Sequence, residues 1–594
     1  MILQALINHY EVLKKQKRIT SPGWSAEKVS FALELSQEGE LKRVIPLKQF
    51  VLRGKKADWV PQLLIVPQHN PRASQVRANF LCDNSRYILG IGLKEKSDRT
   101  KECFQKSREE HHKILDGIDS SAARAVLKYF DTWQLEGVEE HPALKENLKE
   151  IASGANFIFE VDGCYVHEDE KIQHAWEESY TQKGNDEQGI CMVTGQRTDI
   201  ARIHNLIKGV RGAQPSGAAL VSFNAQAFES YGKEQSFNAP IGNYAMYAYT
   251  TTLNYLLADN EHKTLLGDTT IVYWAENGEK KYQDTFSFIT EPTISNQKLV
   301  NGVFKNLEVG KIVDVDDVLK NLDMNQKFYI LGIAPNAARI AVRFFYQDSF
   351  GNILHHIKAH YDRMAIVKPA SDSFEYLGLW RMFQEIVNKK IQDKKSLSSL
   401  PGTTYKAILS DGRYPTALFM RVLERIKADQ DDSEKGIYKI SRGRAAMIKA
   451  YLLKNTQIDK EEIQVALNVN STNVAYMLGR EFAILEAIQQ AANPDIKATI
   501  KDRYFNSACA TPASIFPILF KLKNSHIRKL KEPEKIFYEK MLEELQGKLV
   551  VTDDQKTACP KQLSLEEQGM FILGYYHQTQ KHYEKKNKEE QKNV

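Results

Sequence analysis

The sequence predicts an α+β protein, with a mixed N-terminal body followed by an all-α helical bundle. Three observations carry that prediction. Through residues 1–370, apolar residues alternate along short runs that end in Gly, Asp or Asn turns, the period of half-buried strands. Beyond residue 370 turn signals thin out, helix formers dominate and apolar positions recur every three or four residues. The charge changes with the pattern: of a net charge of +6, about +7 lies from Ser371 onward and about −1 before it. The predicted organisation is a body over 1–370, a linker region over 371–404 and a helical bundle over 405–594.

Length and composition exclude several classes. The chain has 594 residues, enough for ~3–5 domains. With 42% hydrophobic and 26% charged residues it is an ordinary globular composition, not a disordered one. No apolar run approaches the ~18–20 residues of a membrane-spanning helix. The N-terminus, MILQALINHYEVLKKQKR, is apolar first and basic afterwards, the reverse of a secretory signal, so a cytoplasmic location is expected. Six cysteines without a C-x-x-C pair disfavour zinc ribbons and disulfide frameworks.

The elements follow in order. Ile2, Leu3, Leu6, Tyr10 and Leu13 have helical spacing. Val29, Phe31, Leu33 and Leu35 alternate up to a turn at Gln37–Glu40, which predicts a hairpin. Arg53–Lys56 with Trp59 reads as an exposed basic loop, and Leu63–Val66 as a short buried strand. Residues 102–130 read as helix. Phe157, Phe159 and Val161 lead a strand into a turn at Asp162–Gly163. Thr270–Trp274 and Ala341–Tyr346 read as strands, the latter followed by a turn at Asp348–Gly351 and a further strand at Ile353–Ile357. Helices are predicted around Ala417–Ile426, Ala445–Leu453, Val474–Ala491 and Ile515–Leu522. Pro415, Pro494, Pro512 and Pro533 mark helix starts. Lys394–Thr404 is the linker candidate, and the charged tail from Lys581 is expected to fray.

The densest segment for chemistry is Cys191–Pro240. It holds Lys208 and Arg211, turn formers around Gln214-Pro215-Ser216-Gly217, and then Ser222, Asn224, Ser230, Tyr231, Gln235 and Asn238. Amide side chains can read base edges and glycines allow close backbone approach; the same content also suits a polar loop with ordinary turn chemistry. Lys208–Gly212 lacks the order of a nucleotide P-loop. His356 and His360 have the i, i+4 spacing of two metal ligands but no intervening Glu, and no metal site is expected there. His111 and His112 read as solvent-facing. Asp162, Asp199 and Asp268 could form a nuclease-like carboxylate set, yet nothing in their spacing joins them. No nucleophile motif occurs, so no catalytic residue, cofactor or enzyme activity is expected. Three basic clusters mark the helical part: Arg442, Arg444, Lys449 and Lys454; Lys501 and Arg503; Lys521, Lys523, Arg528 and Lys529. A charge run is usually a solvated helix face, but three in one basic domain suit a surface that tracks phosphates.

Several blocks together resemble a known family. MILQALINHYEVL, PGWSAEKVSFALEL, NFLCDNSRYILG, CMVTGQ…IKGVRGAQPSGAALVSFN…ESYGKEQSFNAP and NSTNVAYMLGREFAILEAIQQ…TIKDRYFNSACATPASIFP resemble, in order and to about residue 545, the large subunit of the type I-C CRISPR Cascade surveillance complex. The resemblance implies a non-catalytic subunit that reads the protospacer-adjacent motif in duplex DNA, helps open it and stabilises the R-loop. Its implied partners are crRNA, target DNA, the backbone, handle-binding and small subunits, and a helicase–nuclease recruited afterwards, with no membrane. The resemblance does not itself identify the residues that contact the motif. Side-chain type and turn context nominate Lys208, Arg211, Gln214, Ser216, Asn224 and Asn238, with Arg72, Arg77, Asn79 and Asn84 as a second set. The three helical clusters are nominated for the displaced strand. The resemblance also implies a small subunit made by internal translation, for which Met477 is preferred over Met447. A metal-dependent nuclease using Asp162 or Asp268 and a pure assembly scaffold are the rival readings.

Overall fold

The computed structural model describes residues 2–53, 56–69, 76–92, 97–182, 187–308, 322–388, 400–432, 434, 436–549 and 559–592. The chain divides into two compact units: Leu3–Asn205 with Val221–Thr252, and Leu206–Leu220 with Leu253–Val594. Segments 371–404 and 405–594 both belong to the second unit, together with the strands from Lys263 onward. Helices and strands alternate as far as Ser349, and from Phe350 onward the described elements are all helices, the arrangement of an α+β fold.

In the first unit the predicted N-terminal helix forms over Ile2–Lys15, with Leu6, Tyr10 and Leu13 fully buried and Lys14 and Lys15 in its last turn, where the helix dipole favours cations. Its strands are β1 (Trp24–Val29), β2 (Phe31–Leu35), β3 (Leu41–Pro46), β4 (Lys48–Arg53), β5 (Lys56–Pro67), β6 (Cys82–Asn84), β7 (Asn156–Val161), β8 (Cys164–Tyr165), β9 (Gln188–Ile190) and β10 (Arg197–Asp199). One sheet has the order β3-β2-β7-β6, with β2 and β7 parallel and β8 folding back on β7. The predicted β2–β3 hairpin closes through the Gln37–Glu40 turn. Phe31 stacks on Phe157 at 5.4 Å, and the alternation read from the sequence turns Leu33, Leu35 and Phe159 into the same core.

Four expectations here need correction. Arg53–Lys56 with Trp59 is not a loop: β4 and β5 pair antiparallel with Phe50 opposite Trp59, residues 54–55 lying outside the described residues. Leu63–Val66 is the end of the twelve-residue β5 rather than a buried strand. β5 lies between β1 and β4 in a sheet with an open face, so Val66 is buried while Leu63 is 57% and Ile65 48% exposed. The helix over 102–130 is two helices, Ser97–Leu115 and Ser121–Thr132, because the Ser120 hydroxyl accepts from the Ala123 amide and starts a new one. His111 is fully buried: its Nε2 accepts from the Leu81 amide at 3.0 Å and its ring packs 4.4 Å from Phe130, while His112 meets Asp116 and Asp131 nearer the surface.

The second unit is built on an antiparallel sheet, β11 (Lys263–Leu266), β12 (Thr269–Ala275), β13 (Lys327–Asn336) and β14 (Arg339–Ser349), in sequence order. One face turns Ile271, Tyr273, Phe328, Ile330 and Phe344 into a core shared with helices Lys280–Thr290 and Phe350–Met364. The strand expected at Ile353–Ile357 lies inside that second helix. The Ser349 hydroxyl caps it by accepting from the Asn352 amide, and Ile353, Leu354, Ile357, Tyr361 and Met364 then fall on one buried stripe. The turn signal ahead of Ile353–Ile357 suggested a second strand, but the cap and the 3.6-residue period prevail.

The predicted helices appear as Thr416–Ala428, Arg442–Asn455, Val474–Ala492 and Pro512–Ile527. Pro415, Pro512 and Pro533 do mark helix starts. Pro494 instead follows Asn493, the C-terminal cap of Val474–Ala492, so it marks an end. Of the linker candidate, 394–399 lie outside the described residues and Leu400–Leu409 is a helix with Pro401, Gly402 and Thr404 buried. The tail from Lys581 does not fray in the described residues but continues the helix Leu565–Lys592. Among the described residues no helix is long and apolar enough to cross a membrane.

Helices Val474–Ala492 and Leu565–Lys592 meet backbone to backbone. A Cβ built on Gly479 would stand 1.9 Å from the Phe571 carbonyl oxygen, and one on Gly574 2.0 Å from that of Tyr476. Only glycine at both positions permits this approach. Gly479→Ala is therefore expected to destabilise the protein by at least about 2 kcal/mol, the scale of overpacking a close-packed contact. A urea midpoint equal to that of the wild type would show that the helices do not cross so closely.

Candidate nucleic-acid interface

Within the second unit, Lys208, Arg211, Gln214 and Ser216 sit on one short loop over Leu206–Leu220. Its ends are tied by an Ile207–Ala218 bridge, and the Ala219 amide donates to the Ala338 carbonyl at the sheet edge (3.1 Å). The Asn254 side chain clasps the loop from both sides, its Oδ1 accepting from the Lys208 amide (2.7 Å) and its Nδ2 donating to the Leu206 carbonyl (3.2 Å). The Arg211 amide donates to the Thr270 hydroxyl on β12. Gly217, at φ 107°, closes a turn with Gln214 and lies where a Cβ would come within 2.8 Å of the Leu206 side chain. The backbone is thus held, while the side chains of Lys208, Arg211, Gln214 and Ser216 are exposed. A fixed loop that offers two cations, an amide and a hydroxyl to solvent can hold phosphates and meet base edges.

Other nominated residues have different surroundings. In the first unit Asn224 and Arg77 are exposed. Asn79 is 2% exposed, its amide donating to Asp83, and the Asn84 side chain caps a short helix by accepting from the Arg86 amide. Asn238 braces its own loop: Oδ1 accepts from the Ser230 amide, and Nδ2 donates to the Lys233 and Gln235 carbonyls. Asn79, Asn84 and Asn238 therefore act in the fold, because their polar atoms meet local backbone or lie buried. Arg72 lies outside the described residues.

The first helical cluster is not a surface. Arg444 is 1% exposed and places its guanidinium on Asp429 (2.6 Å) and on the carbonyls of Glu385, Tyr438 and Lys439. Arg442 pairs with Asp372, and Lys454 with Asp411. Lys449 donates to the Arg363 carbonyl, and burial lowers its pKa to about 8. Lys501 is likewise held by Asp431. Charged groups leave water only when partnered, and Arg442, Arg444, Lys449, Lys454 and Lys501 are held by groups of the bundle itself. Arg503, Lys521, Arg528 and Lys529 remain exposed and Lys523 is half-buried, Lys529 donating to Asn493. Exposed cations are what a phosphate-tracking face requires.

The carboxylates and histidines show no nuclease-like set among the described residues. Asp162 accepts from Gln37, and Asp268 pairs with Arg343 at 2.6 Å. His356 and His360 do share a helix, but their Nδ1 atoms meet the Leu409 carbonyl and the Tyr414 hydroxyl. Among the described residues the cluster compact enough for a cation is Asp259, Glu261 and His262, with ligand atoms within 4.8 Å of one another. Both ring nitrogens of His262 are already occupied by carboxylates, Asp259 at 2.7 Å and Asp284 at 2.5 Å. The sequence spacing shows the Asp259–His262 contact, but Asp284 is reached only through folding.

The chain belongs to a family of CRISPR-associated proteins: the profile described as "CRISPR-associated protein (Cas_Csd1)" matches residues 6–583, nearly its whole length. No curated protein matches the chain.

The His262 clasp lies just beyond the helix that carries Asn254, and it has a pH signature. Burial would lower the His262 pKa, but hydrogen bonds to Asp259 and Asp284 outweigh it and raise the value above 6.5. A raised folded-state pKa stabilises fully below about 6.5 and less as pH rises through the folded value. The stability margin of the wild type over His262→Gln is therefore expected to be larger at pH 5.5 than at pH 9. Equal margins in urea melts at the two pH values would show that His262 is not held charged.

Proposed function

We propose that this protein is the large subunit of a type I-C Cascade complex, which reads the protospacer-adjacent motif in target DNA and supports R-loop formation without itself cutting. The family match across residues 6–583 is the observation that carries the reading. The loop of Lys208, Arg211, Gln214 and Ser216 supports it, because a complex whose guide RNA supplies sequence specificity needs its protein only to read a few base pairs and hold backbones. The exposed cations Arg503, Lys521, Arg528 and Lys529 suit the displaced strand. On this reading crRNA and the other Cascade subunits are its partners, the helicase–nuclease arrives after R-loop formation, and the complex acts in the cytoplasm.

The test is target-duplex binding by the reconstituted complex, with and without this chain, on DNA with an intact or scrambled motif. Discrimination is expected to vanish without the chain. In its presence Lys208→Ala with Arg211→Ala should weaken binding and flatten the salt dependence by about one unit of slope per phosphate contact removed. Discrimination that survives removal of the chain makes it a scaffold. Mg²⁺-dependent cutting by the isolated chain, abolished at Asp162 or Asp268, makes it a nuclease.

The same reading includes an internally translated small subunit beginning at Met477. Met477 lies in the first turn of Val474–Ala492, so a product begun there keeps that helix almost whole and all later ones, whereas Met447 falls within Arg442–Asn455 and would cut it. Changing the Met477 codon to a non-initiating one is expected to abolish the short product; its persistence assigns the start elsewhere.

A further inference from the structure

Tyr231 stands at the tip of a turn that nothing in the fold requires to carry an aromatic ring. Ser230 and Lys233 form a bridge, with the Lys233 amide donating to the Ser230 carbonyl at 3.0 Å. The two residues between them, Tyr231 at φ 55° and Gly232 at φ 67°, are both left-handed. Two-residue turns of this hand favour Asn-Gly, and a bulky side chain in the first position is strained. The Tyr231 side chain gains nothing from the fold in return, for it is fully exposed.

The turn is also clamped from below. The Asn238 side chain accepts from the Ser230 amide at 2.8 Å and donates to the Lys233 and Gln235 carbonyls at 2.7 and 2.9 Å. Arg202 Nε donates to the Gln235 side chain at 2.9 Å, and Glu229 accepts from the Gln235 amide. The ring is therefore presented on a held support, which lowers the entropy lost on contact.

We propose that Tyr231 stacks its ring on a nucleobase of the target DNA; this rests on the DNA-reading role proposed above. A base is favoured over a protein surface because the exposed residues flanking the ring, Ser230, Gly232 and Lys233, carry no large apolar side chain, and the other exposed ring of this loop, Phe228, is 40% exposed against 100% for Tyr231. One ring face matches one base, whereas a stable protein interface buries about 800 Å² per partner. Lys233 lies two residues away and is exposed, available to the adjoining phosphate. The carboxylates close by are engaged, Glu229 with the Gln235 amide and Glu234 with Arg202.

The experiment compares Tyr231→Asn and Tyr231→Phe in the fully assembled complex with crRNA. Asn suits the turn, so Tyr231→Asn is expected to keep or raise the thermal midpoint and leave assembly intact. It should nonetheless weaken target binding about tenfold, the scale of one lost stacking contact. Tyr231→Phe should bind as the wild type does. Target DNA carrying 5-iodouracil should crosslink to the peptide that contains Tyr231, and the crosslink should disappear in Tyr231→Asn. Unchanged affinity in Tyr231→Asn overturns the proposal. So does equal weakening in Tyr231→Phe, which would assign the contact to the hydroxyl, and so does lost assembly, which would make Tyr231 a protein contact. Failure of the underlying role shows separately, as wild-type DNA binding that does not depend on the chain at all.

Discussion

The helical part of the second unit depends on the close crossing of Val474–Ala492 and Leu565–Lys592, where Gly479 meets the Phe571 backbone and Gly574 that of Tyr476. Two backbones that approach within the space of a methyl group leave no room for side chains between them, so every neighbouring position is packed to fit. Val474–Ala492 is consequently buried nearly all round, and polar groups along it must find partners inside. Tyr476 donates or accepts with His577, Arg480 donates to Gln578, and Tyr575 donates to Glu486. Each bond links the same two helices, so the polar layer sets their register while the glycines set their distance. Burial pushes the His577 pKa down to about 3 and that of Glu481 up to about 7, both toward the neutral form that a dry interior favours.

The fate of the basic residues follows from this packing. A helix enclosed on every side turns its cations inward, and a buried cation is tolerable only against a carboxylate or several carbonyls. Arg442–Asn455 meets that condition through Asp429, Asp372 and Asp411, which absorb the charge that the linear sequence shows as a run. The helix Pro512–Ile527 lies less deeply, and the cations at its C-terminal end stay in water. Net charge over the C-terminal third thus overstates the basic surface, and only part of it can face a nucleic acid.

The two candidate loops achieve rigidity by different means. Leu206–Leu220 is stitched to a sheet edge by main-chain bonds and to a helix by Asn254, which leaves its polar side chains unused by the fold. The loop around Tyr231 uses its own Asn238 as the brace, so one amide is consumed to present one ring. In both, an asparagine that composition alone would assign to base reading holds backbone instead.

Period and turn chemistry were enough to determine much of this protein. The α+β class, the N-terminal helix, the β2–β3 hairpin, β12, β14 and the main C-terminal helices are local features, set by residues within a few positions of each other. The resemblance of whole blocks placed the chain among CRISPR-associated proteins, and the family match bears that out. Lys208, Arg211, Gln214 and Ser216 were legible as a candidate site because turn formers and cations fall together within nine residues. Burial was not legible. Whether Arg444 or Arg528 faces water, whether Leu63 lies in a core, and whether His111 meets solvent depend on partners tens to hundreds of residues away. The exposure of Tyr231 belongs with these, since Ser-Tyr-Gly-Lys announces a turn but not that the ring stays uncovered. Local sequence specifies which element forms; only the packing of distant elements decides which of its faces is removed from water, and with it which charged or aromatic groups are left to bind.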